Sequence, residues 1–181
     1  MRPFLADLTW IKGPELNWQV DSVFYSCAVQ LNGTTSMFVG GSGMEFDSWL
    51  LNWQDNSWTM PGELNEGRLY HSCAILEGKG VLVAGGVNNN FDPVTSVELY
   101  DRSTGQWIIQ PSLPEDVTAY YLSLHSWGDT VIALFDGEDH VYQYGDDGTW
   151  NMLDGVVLPA LYSGFNDRAV LVDDYMALGC I

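Results

Sequence analysis

Basic side chains are nearly absent from this sequence: six Lys and Arg stand against 24 Asp and Glu in 181 residues, for a formal net charge of −18. Six cations cannot neutralise a run of phosphates, so nucleic acid is not expected as a partner, nor is an anionic membrane surface. Long apolar runs are missing as well. No segment approaches the ~18 apolar residues of a membrane span, and Met1-Arg2-Pro3-Phe4-Leu5-Ala6-Asp7 lacks the apolar stretch of a secretory leader. No stretch carries the period of a long amphipathic helix, which argues against a helical bundle. Cysteine is scarce: Cys27, Cys73 and Cys180 are odd in number and match no zinc spacing. Free, buried thiols in a reducing compartment are the expectation, and with them a cytoplasmic location. One feature pulls the other way, because Asn32-Gly33-Thr34 is an N-glycosylation sequon. Asn-Gly is also the dipeptide of a tight hairpin turn.

What the sequence does hold is aromatic residues, glycine and repetition. Apolar residues make up 46% and aromatics 13%, with 8 Trp, 9 Tyr and 19 Gly. Aromatic and β-branched residues between Gly, Asn and Asp clusters predict short strands joined by tight turns. Trp10, Trp58, Trp107 and Trp150 recur at intervals of 48, 49 and 43. Trp10-Ile11-Lys12-Gly13-Pro14-Glu15-Leu16 is echoed by Trp107-Ile108-Ile109-Gln110-Pro111-Ser112-Leu113. Gly40-Gly41 and Gly85-Gly86, 45 residues apart, each close an apolar run. Asp136-Gly137 does the same for a third. Before each run comes a further marker: Tyr25-Ser26-Cys27-Ala28 and His71-Ser72-Cys73-Ala74 are near copies, and Tyr121-Leu122-Ser123-Leu124 holds the same place in the next unit. Units of this size that cannot bury both faces alone gain a core by stacking.

The second unit is the clearest: a His71-Ser72 strand, the Gly85-Gly86 pair, a Tyr100-Asp101 strand, the Thr104-Gly105 turn, then Trp107. It resembles the kelch repeat, and the resemblance extends over nearly the whole chain. It implies an all-β fold of kelch-type β-propeller blades, four-stranded antiparallel meanders whose strands are lettered A to D from the axis outwards. Blades are expected at about 20–60, 68–111 and 118–153. A partial blade is expected at 165–181, with A and B strands at Ala169-Val170-Leu171-Val172 and Tyr175-Met176-Ala177-Leu178-Gly179. An N-terminal D strand at 8–12 around Trp10 completes about 14 or 15 strands. Part of a larger ring is the favoured reading, with self-association through exposed blade edges as one expectation. Each repeated Gly, Trp and Tyr is read first as structural.

In a meander, D-to-A and B-to-C loops share one face and A-to-B and C-to-D turns the other. The longer loops, 42–47, 61–69, 87–95 and 111–118, fall on the first face, where function is expected. Phe46 and Phe91 sit at similar places in two B-to-C loops and suit a binding anchor, or cover their own loops. Asn88, Asn89 and Asn90 could supply amide hydrogen bonds or tolerate left-handed turn geometry. Arg68 is a candidate clamp for a carboxylate, or pairs with an acid of a neighbouring blade. His71 is expected as a satisfied inner-strand residue. His125 and His140 show no ligand spacing, and the acids Asp136, Glu138, Asp139, Asp146 and Asp147 do not form a calcium loop. No catalytic residue, metal or cofactor is expected. The resemblance implies a protein-interaction module binding a peptide or protein, which the charge suggests is basic. Its alternative implication is an enzyme similar to the kelch-type copper-radical oxidases or sugar mutarotases, the former needing a tyrosine–cysteine cofactor.

Overall fold

The computed structural model describes residues 25–135, 140–157, 167–172 and 175–180, with only the backbone course of the last two strands. The expected strand at 8–12 with Trp10 lies outside these residues, as do Asp136, Glu138, Asp139 and the turn at 173–174. Among the described residues there are fourteen strands and no helix. The first sheet runs β1 (Cys27–Asn32), β2 (Thr35–Val39), β3 (Ser48–Asn52), β4 (Ser57–Thr59). The second runs β5 (Ser72–Leu76), β6 (Gly80–Ala84), β7 (Val97–Asp101), β8 (Gln106–Gln110), and the third β9 (Leu122–Trp127), β10 (Thr130–Phe135), β11 (His140–Tyr144), β12 (Trp150–Val157). A two-stranded sheet pairs β13 (Asp167–Val172) with β14 (Tyr175–Cys180). Every pairing is antiparallel between sequence neighbours, so each of the first three sheets is an up-and-down meander.

Local chemistry explains the meander. Each of the three C-to-D turns is capped by an aspartate whose carboxylate accepts the backbone N–H two residues on: Asp55 from Ser57 at 3.0 Å, Asp101 from Ser103 at 2.8 Å and Asp147 from Thr149 at 3.0 Å. These bonds also lower the three carboxyl pKa values, because they favour the charged form. The second strand of blade two, β6, lies between blades one and three and is covered on both faces by them. All five residues of β6 are therefore buried, and its Val81-Leu82-Val83-Ala84 run is continuously apolar rather than alternating. Leu82, Ala84 and Val97 meet Leu122, Ala133 and Phe135 between blades two and three. Met37 and Val39 meet Val81, Val83 and Trp107 between blades one and two. The Trp107 indole N–H donates to the Ser48 hydroxyl of blade one at 3.1 Å, so this repeated tryptophan joins blade to blade.

The first glycine pair is required by close approach. Gly40 has φ +57, and a Cβ there would fall 2.6 Å from His71 Cε1 and 2.9 Å from the Arg68 carbonyl oxygen. The strand register also corrects an expectation. Cys27 and Cys73 are joined as a disulfide between the inner strands of blades one and two, with Cα atoms 5.9 Å apart. They are not free thiols. Cys27 pairs with Val39, just before Gly40, whereas Ser72 pairs with Ala84, just before Gly85. Cys27 is thus equivalent to Ser72, and Cys73 is one residue further along. Successive strand residues point to opposite faces, so this offset turns the two sulfurs toward each other across the blade boundary.

Candidate functional site

The inner strands β1, β5, β9 and β13 lie side by side in that order, so the D-to-A and B-to-C loops gather on one face around their ends. Between blades one and two this face holds a depression of about 310 Å³, lined by Glu45 and Phe46, by Asn65, Glu66 and Gly67, and by Asn88, Asn89 and Asn90. Three expected site residues, Phe46, Asn88 and Asn89, therefore meet in one place. Phe46 is 47% exposed, with its ring laid on Gly67: a Cβ on Gly67 would come within 2.8 Å of it. It is partly a cover for its loop and partly an open apolar surface. Asn88 holds its own loop, its side-chain oxygen accepting the N–H groups of Asn90 at 2.8 Å and Asp92 at 3.0 Å. Asn89 and Asn90 are exposed. The left-handed residue of this loop is Phe91, with φ 63, and none of the asparagines. Phe91 itself is 60% exposed, and its carbonyl accepts a hydrogen bond from the Tyr120 hydroxyl.

Arg68 is not available to a partner. It is fully buried, and its guanidinium donates to Glu98 at 2.9 Å, to the Ser96 hydroxyl at 2.8 Å and carbonyl at 3.0 Å, and to the Gly85 carbonyl at 3.2 Å. Its acid partner lies in the third strand of its own blade rather than in a neighbouring one. Glu98, also fully buried, accepts in addition the N–H groups of Asn65 at 2.8 Å and Glu66 at 3.1 Å and the Asn65 amide at 2.8 Å. The ion pair thus stands one layer beneath the depression and fixes its Asn65-Glu66 edge. Desolvation lowers the Arg68 pKa and Glu98 opposes that effect; a guanidinium stays charged throughout. His71 is buried beside it, with Nε2 at 3.0 Å from the Val39 carbonyl of blade one. Burial pushes its pKa down to about 3, so it is a neutral, structural histidine.

A feature not singled out from sequence runs beside the depression at the inner ends of the loops. Tyr25 and Tyr70 stack with ring centroids 3.9 Å apart, and Tyr121 meets Tyr70 edge-on at 6.0 Å. Tyr120 follows at 6.1 Å from Tyr121 and reaches the Phe91 carbonyl. The row crosses three blades. Tyr25 and Tyr70 both have positive φ, 64 and 57, and the Tyr70 N–H donates to the Tyr25 carbonyl at 3.1 Å. A hydrogen bond from Tyr25 pushes the Tyr70 phenol up to about 12. The available signal was the 45-residue glycine spacing, which aligns Tyr25 with Tyr70 instead of with His71.

Among residues with described side chains, exposed cations are confined to one face, whereas carboxylates stand on both, with Asp55, Asp101 and Asp147 on the turn face. Glu45, Glu63, Glu66, Asp92, Glu115 and Asp116 stand exposed or half-exposed on the loop face. Among residues with described side chains, the exposed cations Lys79 and Arg102 belong to an A-to-B and a C-to-D turn, on the opposite face. That face carries a larger depression of about 640 Å³ near Lys79, Asp101 and Arg102, but Asp101 is committed to capping its own turn. A smaller one, about 240 Å³, opens between β1, β5 and β9 beside Gln30 and His125, where burial lowers the His125 pKa. No group of three His, Cys, Asp or Glu suited to a metal ion occurs among the described residues.

Comparison with known proteins agrees with this architecture. Residues 67–114, which contain the second blade, match the Kelch motif. The chain is 24% identical over 156 residues to the F-box protein AFR of Arabidopsis thaliana, an alignment covering 82% of this chain and 40% of that relative. It is similar to the solved structure titled "Structure of YjhT", with a TM-score of 0.67 and 17% identity over 86% of this chain and 58% of that one. The chain thus spans less than half of the curated relative and under two thirds of the solved one. At 17% identity the structural likeness speaks for the fold alone.

Proposed function

Because this chain is built of kelch-repeat β-propeller blades, we propose that it is a protein-interaction module whose loop face receives a Lys- or Arg-bearing segment of a partner protein. The observation that carries the reading is the row Tyr25, Tyr70, Tyr121 and Tyr120 on a face that presents carboxylates and no exposed cation among the described side chains. Tyrosine faces attract ammonium and guanidinium groups, and tyrosine supplies a large contact area with only two torsions to fix. The surrounding carboxylates raise the encounter rate with a cationic partner. The depression at Phe46, Asn89 and Asn90 offers an apolar patch and amides beside the row, the mixture from which binding hot spots are made. Alignment to an F-box protein over 82% of this chain supports interaction over catalysis. The disulfide removes Cys27 and Cys73 as partners for a tyrosine–cysteine cofactor, because the two are bonded to each other.

The test is binding to a peptide set of constant length in which Lys and Arg are exchanged stepwise for Asp and Glu, read by fluorescence anisotropy. Basic peptides should bind, salt should weaken them, and Tyr70→Ala should remove most of the affinity. Lys79→Ala, on the opposite face, should leave it unchanged. Equal binding of acidic and basic peptides, or full affinity in Tyr70→Ala, would refute the reading.

A further inference from the structure

Of the ten asparagines in the sequence, only Asn32 heads an Asn-x-Ser/Thr triplet. The fold sets that triplet at the tip of the β1–β2 hairpin. Asn32 and Gly33 are exposed there, and a Cβ built on Gly33 would meet nothing within 4 Å. The Asn32 side-chain oxygen accepts hydrogen bonds from the Thr34 N–H at 2.8 Å and the Thr34 hydroxyl at 3.0 Å. The amide and the hydroxyl that define the sequon are therefore already together, on a turn open to a modifying enzyme. A second, independent observation concerns the redox environment. The bond between Cys27 and Cys73 is one that a reducing cytosol opposes and an oxidising compartment allows.

We propose that Asn32 carries an N-linked glycan, added in an oxidising compartment where the Cys27–Cys73 disulfide also closes. In the transfer the Asn32 side-chain nitrogen bonds the anomeric carbon of a lipid-pyrophosphate-linked oligosaccharide. The carbon–oxygen bond to the pyrophosphate breaks, its electron pair leaves with the lipid pyrophosphate, and the amide gives up one proton. In disulfide closure the two thiols lose two protons and two electrons to a disulfide-bearing carrier protein, which is reduced to its dithiol. This departs from the cytoplasmic expectation, which rested on free thiols and on the lack of an apolar leader stretch in Met1–Asp7. The β1–β2 turn is an A-to-B turn, on the face opposite the tyrosine row, so the glycan leaves the loop face open. The inference does not depend on what that face binds.

The experiment uses the protein made from its complete coding sequence in eukaryotic cells, with thiols alkylated before lysis. Treatment with an amidase that cleaves the glycan–asparagine bond should increase gel mobility and convert Asn32 to aspartate in the peptide map. The shift should vanish in N32Q and in T34A and persist in T34S. The unreduced digest should contain Cys27 and Cys73 in one cross-linked peptide pair. Absence of the shift in the unmutated protein, or a shift that survives N32Q, overturns the glycan at this site even where the disulfide is found. Alkylation of both Cys27 and Cys73 in intact cells overturns the compartment and the proposal with it.

Discussion

Replacing Glu98 with Gln keeps nearly the same shape and removes one charge. The Arg68 guanidinium would then remain fully buried without the carboxylate it bonds at 2.9 Å, the one acid paired with it among the described residues. Three further hydrogen bonds to Glu98, from the Asn65 N–H and amide and the Glu66 N–H, would lose their charged acceptor. Breaking a buried ion pair from one side costs about 3–5 kcal/mol, against a total stability on the order of 5–15 kcal/mol for a domain. Glu98→Gln should therefore lower the urea midpoint sharply at an unchanged slope. Arg68→Met should cost a similar amount, by burying Glu98 unpaired. The double variant Arg68→Met/Glu98→Leu should be much less unstable than the two costs added, with a coupling of at least about 1 kcal/mol. The edge of the depression supplies a second readout, because Asn65 and Glu66 are held by Glu98 and peptide binding should weaken in folded Glu98→Gln. Strict additivity of the two changes, or a Glu98→Gln cost under about 1 kcal/mol, would show that the pair does not organise this face.

Four further outcomes follow from the same packing. Trp107→Ala empties a site that is only 7% exposed and spans two blades, so it should cost about 3–5 kcal/mol by chemical denaturation; an unchanged midpoint would refute its role in joining blades. His71 is held neutral down to about pH 3 in the folded chain but takes up its proton near 6.5 when unfolded. Its contribution is complete above about pH 6.5 and declines as pH falls toward 3, by about 1.4 kcal/mol per pH unit; His71→Gln should flatten that part of the stability profile. Gly40→Ala forces a side chain into φ +57 and toward His71, at a strain cost of about 1–3 kcal/mol visible as a lower melting temperature. Reducing Cys27–Cys73, separated by 46 residues, should remove about 2–4 kcal/mol by freeing the unfolded chain, and Cys73→Ala should make the protein insensitive to reductant.

The blades were legible in the sequence because a propeller repeats one burial problem. The B strand of blade two, β6, is covered on both sides and is a continuous apolar run, and the B strands of blades one and two close on a glycine pair where the next blade comes within contact distance. Trp107 and the aspartate-capped turns recur for the same reason. The depression was half legible. Loop length and exposed aromatics pointed to Phe46 and Phe91, and asparagine runs to Asn88 and Asn89. Burial could not be read for Arg68, because its acid partner sits 30 positions away at Glu98, inside a strand where alternation alone gives no reason to expect a charge. A lone arginine on an acidic chain reads as a functional cation until the residue that neutralises it is known.

The tyrosine row and the disulfide were missed for one shared reason, the frame in which the repeats were superposed. Matching Ser-Cys-Ala in both units sets Cys27 against Cys73 and Tyr25 against His71, which leaves both cysteines facing the same way and the tyrosines unrelated. The glycine pairs repeat at 45 residues and the cysteines at 46. Glycine position is fixed by backbone contact with the neighbouring blade and tolerates no slip, whereas Ser-Cys-Ala is a string of small residues that several registers can accommodate. The glycine frame is therefore the physically constrained one. In that frame Tyr25 falls on Tyr70, which puts two rings at equal heights on adjacent blades and makes stacking the expected outcome. The same frame moves Cys73 one residue along its strand relative to Cys27, and a one-residue shift in a strand reverses the direction of the side chain. Two equivalent cysteines could not meet across a blade boundary; two cysteines offset by one can.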